Sequence, residues 1–249
     1  YLTSMKHKFK IWKSNNKYFL NQLKNTYRST ISFYDFLNKK IKLREKNIID
    51  LACGNGGNLF YLKKNYLPKY LLGVDFNKSL IKFANNLKKK KKLENISFKV
   101  GNILKIKNIY KNKFEVATCL QTIPYVRDYQ TPIKQIAKLN PKYICISGLF
   151  WEGLIDFKIR VHNLEDSSYL RKVKYFENYN IYSLKNYISM MKKLGYKKNY
   201  IKKFNVDKKI NPKRNKKKFM GTYTSLIDKK NVQFSGPLLM NWFFIISKK

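Results

Sequence analysis

The residues with the clearest chemical potential sit in one short stretch, Asp50-Leu51-Ala52-Cys53-Gly54-Asn55-Gly56-Gly57-Asn58. An apolar run from Lys46 to Cys53 leads into three glycines, and a helical pattern resumes at Asn58. Glycine admits backbone with positive φ and lets a ligand approach where a Cβ would collide. The helix that follows presents N–H groups without partners in its own first turn. In dinucleotide enzymes such a corner receives a pyrophosphate. Here the spacing is not Gly-x-Gly-x-x-Gly, because position 59 is Leu, and Asp50 precedes the turn. A carboxylate at that place repels a pyrophosphate. It suits a ligand that carries an ammonium and a sulfonium and leaves its own carboxylate for the amides.

Three more strand ends carry polar residues in order. Asp75 closes the next apolar run in Gly73-Val74-Asp75-Phe76-Asn77, and its two oxygens can accept from a diol. Asn77 and Ser79 compete with it as the cap of the helix beyond. Val100-Gly101-Asn102-Ile103 ends a third run and Cys119-Leu120-Gln121 a fourth. Asp50-x-x-x-Gly54-x-Gly56, followed by these positions, resembles motif I and its sequel in the class I S-adenosylmethionine-dependent methyltransferases. The resemblance covers residues 46–148. It implies S-adenosylmethionine as cofactor, held by Asp50, Ala52, Gly54, Gly56, Asn58, Asp75, Phe76, Asn102, Ile103 and Leu120. It puts Asp75 on the ribose hydroxyls. Asn102 stands where the family often has Asp, so the adenine contact keeps a carbonyl acceptor and loses a charge. An N-terminal helix often closes over the cofactor in this superfamily, which would bring Arg28 to the methionine carboxylate. Beyond residue 148 the tail resembles an uncharacterised bacterial group of small-molecule and glycan methyltransferases.

The elements that must position these residues follow from periodicity. Apolar residues at spacings of three and four make residues 1–45 a helical cap. Strands are expected at 46–53, 70–75, 96–100, 114–119 and 143–147, with helices at 58–65, 79–87 and 131–139 between them. That alternation gives an α/β fold, a Rossmann-like and mostly parallel sheet with helices on both faces. In the resembling family the sheet has seven strands in the order 3-2-1-4-5-7-6, the last antiparallel. Residues 149–180 lose the rhythm and read as an inserted lid. A helix at 183–194, a strand at 200–206, a basic loop at 208–218, a hairpin at 221–235 and a final strand at 238–247 complete a single domain, 1–249. The run Lys88 to Lys92 reads as a solvated helix end, where cations suit the helix dipole.

The acceptor side is less determined. Gln121, Tyr125, Trp151 and Arg160 are the candidate substrate contacts, with aromatic packing the alternative for the rings and a surface arginine the alternative for Arg160. Arginine is scarce, only Arg28, Arg44, Arg127, Arg160, Arg171 and Arg214 among 54 basic residues, so each position that keeps one invites a role for the planar fork. His162 is the candidate general base. These assignments describe transfer of a methyl group to an O or N atom of a small molecule or sugar. Two other readings stay open. The formal charge of +40 allows an RNA methyltransferase, although lysines spread along the whole chain attract nucleic acid only non-specifically. A protein that kept the fold and lost catalysis is the other. Cys53, Cys119 and Cys145 lack metal-ligand spacing and read as buried thiols, with no metal expected. No run of about 18 apolar residues predicts a membrane span, and the first residues lack the apolar core of a secretory signal. The expected compartment is the cytoplasm, and oligomeric state is left open.

Overall fold

A computed structural model describes residues 17–161, 177–206, 209–211, 222–227, 229–235, 238–239 and 242–249. Two helices open it, α1 Lys17–Lys24 and α2 Arg28–Ile41, so the expected cap is broken at residues 25–27. The alternating core runs β1 Asn47–Leu51, α3 Gly57–Tyr66, β2 Tyr70–Asp75, α4 Lys78–Lys90, β3 Ile96–Val100, β4 Val116–Leu120, α5 Gln130–Lys138 and β5 Tyr143–Trp151. After it come β6 Arg160–Val161, β7 Glu177–Asn178, β8 Tyr182–Ser183, α6 Leu184–Lys193, β9 Lys198–Lys203, β10 Thr222–Ile227, β11 Lys230–Ser235, β12 Leu238–Leu239 and β13 Trp242–Lys248.

Local chemistry sets the boundaries. α3 starts after Gly56 in the left-handed region, and Pro68 bars its continuation past Leu67. α4 is capped by Asn77, whose side-chain oxygen accepts from the amides of Ser79 and Leu80. Asp75 is therefore not the cap. Lys88, Lys89 and Lys90 fill the last turn of α4, where the helix dipole favours cations. Ser183 caps α6 through the amide of Asn186, and Gly195 at φ +89 follows its end.

The main sheet has the order β3-β2-β1-β4-β5-β13-β9, which is the expected 3-2-1-4-5-7-6. β13 runs antiparallel to both neighbours, and the strands from β3 to β5 are parallel. An eighth, two-residue strand was not expected: β8 pairs in parallel with Phe150 and Trp151, because β5 continues past residue 147. The apolar stretch predicted as one strand over 238–247 is divided. Its first residues form β12 on the hairpin sheet and the rest form β13.

Alternation by two assigns the core. Ile48, Val116, Cys145, Phe244 and Ile246 face α2, α3 and α4. Ile49, Ala117, Ile144, Ile146, Phe243 and Ile245 face α5 and α6. Each of the Val, Ile and Phe side chains taken from water contributes roughly 1.5–3 kcal/mol, an upper bound because unfolded chains already bury some surface. These two layers hold the carboxyl ends of the parallel strands in fixed register, and the site lies there.

Candidate active site

Register explains the most unusual residue. Asp50 pairs with Gly73 on one side and Thr118 on the other, and Gly73 and Thr118 pair in turn with Phe98 and Cys145. Residues in register across a parallel sheet share a face. Asp50 thus stands in an otherwise weakly polar row, on the face covered by α2. It is 1% exposed. Thr118 Oγ1 donates to Asp50 Oδ1 at 2.7 Å. Asp50 Oδ2 is buried without a hydrogen-bond partner among the described residues. Burial pushes the carboxyl up to about 7; the Thr118 hydroxyl opposes this and the nearby Asp75 charge adds to it. Above the row, α2 contributes Tyr34, whose buried hydroxyl has Asp50 and Thr118 as polar neighbours yet makes no well-formed hydrogen bond. Burial holds its ionisation well above the ordinary tyrosine range.

The turn after β1 alternates through the left-handed region at Ala52, Gly54 and Gly56, with φ of 61°, 59° and 81°. For Ala52 this costs on the order of 1–2 kcal/mol; its amide and that of Cys53 are held by the Val74 carbonyl. Asp75, 6% exposed, ties the turn to the next helix. Its Oδ2 accepts from the Gly54 amide at 2.9 Å and its Oδ1 from the Asn77 amide at 2.8 Å. Burial pushes its pKa above the ordinary carboxylate value, and the two amides counteract that.

The glycines serve packing as well as access. A Cβ on Gly56 would lie 2.5 Å from Phe98 Cε1, and one on Gly57 would lie 3.1 Å from the Gln22 side chain. Asn58 accepts from Gln22 Nε2 at 2.8 Å and Thr30 Oγ1 at 3.1 Å, so its side chain fastens α1 and α2 to the start of α3. Phe76 is partly exposed beside Asp75, Leu120 packs on the α2 side of the sheet, and Ile103 is buried on the opposite side. Asn102 turns its side-chain oxygen to the Leu104 amide at 2.8 Å, which engages one of its two lone pairs. Arg28 is the first residue of α2.

Four of the acceptor-side candidates are also placed. Gln121, at φ 52, ends β4 and donates from Nε2 to Ser29 Oγ at 3.0 Å. Tyr125 is partly exposed in a single helical turn and packs on Tyr179, ring centroids 5.4 Å apart. Trp151 ends β5, donates to the Ile155 carbonyl and stacks edge-on with Phe157. Arg160 belongs to the β6–β7 ribbon, which rejoins the β4 end where Asn180 donates to the Val126 carbonyl at 2.9 Å. His162 and Arg171 lie outside the described residues, as do His7, residues 162–176 of the expected lid and residues 212–221. The three cysteines are buried, and among the described residues no cluster of His, Cys, Asp or Glu could hold a metal ion.

Residues 42–168 match the methyltransferase domain family, a little over half of the chain. The chain belongs to that family. The ubiquinone biosynthesis O-methyltransferase of Coxiella burnetii is 31% identical over 107 residues, 42% of this methyltransferase and 43% of its relative. The demethylmenaquinone methyltransferase of Lactococcus lactis is 31% identical over 104 residues, 40% of this chain and 41% of that one. The match therefore spans about two-fifths of the length of these curated relatives. Solved structures share the fold: the YcgJ protein from Bacillus subtilis aligns at a TM-score of 0.59 and 13% identity over 90% of this chain and 99% of its own. The PH0226 protein from Pyrococcus horikoshii aligns at 0.54 and 15% identity over 98% and 99%.

The methyl donor of this family is S-adenosylmethionine, and the residues present fit it. The orphaned Asp50 Oδ2 offers a carboxylate to a cation. Gly56 gives α3 no side-chain cap, and Asn55 Oδ1 accepts from the Gly57 amide at 3.1 Å, so a ligand carboxylate at this helix start would compete with Asn55 for that amide. Each Asp75 oxygen keeps a lone pair beyond the amide it accepts, enough for a diol. Thr118, Tyr34, Gln22, Ser29 and Thr30 were not picked out as site residues from sequence. Thr118 follows from pairing β1 with β4 and carrying Asp50 across; the others had no local signal beyond a helix period.

Proposed function

We propose that this methyltransferase passes the methyl group of S-adenosylmethionine to a hydroxyl oxygen of a small, ring-bearing acceptor. The observation that carries the reading is the Asp50–glycine turn–Asp75 arrangement at the carboxyl ends of β1 and β2 in a chain of this family. Tyr125 beyond β4, packed on the buried Tyr179, and Trp151 at the end of β5 support a flat acceptor, and the names of the quinone-pathway relatives point the same way. The bound cofactor supplies an electrophilic methyl on a positively charged sulfur. The acceptor oxygen forms the new C–O bond as the C–S bond breaks, and the acceptor proton leaves. The chain's part is alignment, worth up to roughly 7–11 kcal/mol in well-oriented systems, and removal of that proton, which this reading assigns to His162. Arg160 is its candidate for an anionic acceptor substituent.

The test is S-adenosylhomocysteine formation with a panel of phenols, catechols, sugars and tRNA. Turnover on catechol or phenol acceptors is the expected result. Turnover confined to tRNA or to sugars would replace the acceptor class. A thermal-shift screen that responds to NAD and not to S-adenosylhomocysteine would remove the reading altogether.

A further inference from the structure

The chain leaves β5 at the carboxyl end of the parallel strands, and the turn at residues 152–156 combines two opposite features. Its two largest side chains lie in water: Leu154 is 66% exposed and Ile155 62%. Phe157 continues the exposed apolar strip. The backbone beneath them is braced. Ser183 Oγ donates to the Gly153 carbonyl at 2.6 Å, Asn186 Nδ2 to the Leu154 carbonyl at 3.0 Å, and Trp151 Nε1 to the Ile155 carbonyl. The Asp156 carboxylate accepts from the Ser183 amide at 2.8 Å. Phe157 and Ile181 exchange backbone hydrogen bonds at 2.8 and 3.0 Å. The Trp151 indole lies on Gly153, where a Cβ would come within 2.0 Å of the ring. Three carbonyls in succession thus receive side-chain donors, while Leu154 and Ile155 stay in solvent.

Apolar residues exposed singly are ordinary, but an adjacent pair on a braced turn marks a surface that something covers. A protein partner would bring donors of its own. The headgroup region of a bilayer is rich in phosphate and ester oxygens, which only accept, so a carbonyl that enters it fares best with a donor from its own chain. This turn meets that demand. The formal charge of +40 adds attraction to anionic lipid. The charges around the turn balance, Glu152 and Asp156 against Lys158 and Arg160, so the attraction belongs to the rest of the protein and the anchorage to the apolar pair. We propose that this turn docks the protein on an anionic bilayer surface, with Leu154 and Ile155 entering the boundary between headgroups and acyl chains. The dock follows directly on β5, so the acceptor side of the sheet lies next to lipid. That consequence rests on the acceptor reading above; the docking itself does not.

Flotation of the full chain with vesicles of phosphatidylcholine, alone or mixed with about 30% phosphatidylglycerol, at about 0.15 M salt tests this. Wild type should float with the anionic vesicles and much less with the neutral ones. Leu154→Ser combined with Ile155→Ser should lower the partition coefficient about tenfold or more. The urea midpoint should not move, because both side chains are already in water. Ile109→Ser is the control. Ile109 is 60% exposed in the single helical turn Asn108–Tyr110, which precedes β4, and its loss should leave partition unchanged. Leu154→Trp reads insertion directly: its emission, as a difference from wild type, should shift to the blue on anionic vesicles and be quenched by brominated lipid. Equal flotation of wild type and the double variant, or an equal loss in the Ile109 control, would leave charge alone as the cause and overturn the proposal. Absence of flotation overturns it too. So does a wild-type dimer in light scattering that the double variant abolishes, since a second copy would then be the occupant. None of these measurements involves the methyl donor, so their failure leaves the methyl-transfer reading to its own thermal-shift test.

Discussion

Replacing Asp50 by Asn in the cofactor-free protein isolates the cost of burying a carboxyl. Burial raises its ionisation from an ordinary 3.8 to about 7 in the folded chain. The folded state therefore binds this proton more tightly than the unfolded state does. The resulting stabilisation is complete below about pH 4 and is lost as pH rises through about 7. About three pH units at 1.36 kcal/mol each give a loss of about 4 kcal/mol between pH 4 and pH 8. That is a large part of a typical net stability of about 5–15 kcal/mol. The Asn side chain is nearly isosteric and cannot ionise, so the Asp50→Asn variant escapes the loss. Urea unfolding of both proteins, followed by tryptophan fluorescence under reducing conditions from pH 4 to 8, reads the difference directly. The general charge repulsion of a lysine-rich chain is common to both and cancels. The variant should gain about 4 kcal/mol on wild type across that range, mostly between pH 5 and 7. A difference that stays flat within about 1 kcal/mol would show that the carboxyl is charged and well solvated, and would refute the enclosed row across β1, β2 and β4.

Further outcomes are expected. Asp75→Asn keeps one acceptor oxygen but turns an NH2 toward an amide donor, so affinity for S-adenosylhomocysteine should fall roughly 10–150-fold, by calorimetry, as for one lost charge-assisted hydrogen bond; unchanged affinity would exclude Asp75 from the ligand. Gly56→Ala places a Cβ at φ 81 and 2.5 Å from the Phe98 ring, at a cost of about 2–4 kcal/mol read from the urea midpoint. His162→Ala should lower turnover by about 10²–10⁴ with S-adenosylhomocysteine affinity intact; full activity would assign the base elsewhere.

Sheet order was legible because β1, β2, β3, β4 and β5 each show an apolar run ended by Gly, Asp, Asn or Gln, and because their helices keep a different period. The end of β5 was not, since Gly148 imitates a strand stop while the chain stays extended through Trp151 to meet β8. Asp50 and Asp75 stood out as candidates from their positions near glycines, and the structure ties both to the turn after β1. What surrounds Asp50 was not: Thr118 is 68 positions away and Tyr34 lies on a helix whose rotation depends on the whole core. The double use of the glycines escaped notice for the same reason, because Phe98 and Gln22 reach them only through tertiary packing. Asn102 shows a local detail that the sequence match did not carry. A matching position does not reveal that one lone pair of its oxygen goes to the Leu104 amide.

Helix α2 is pinned at two places by short polar side chains: Ser29 to Gln121 where β4 ends, and Thr30 to Asn58 where α3 begins. Consecutive residues thus bridge the two halves of the sheet mouth like a latch with two teeth. Hydrogen bonds of this kind each contribute only about 0.5–1.5 kcal/mol net, so thermal motion can undo one without unfolding the helix. A molecule that claimed the Gln121 amide would undo the first tooth and leave the second to hold this end of the helix.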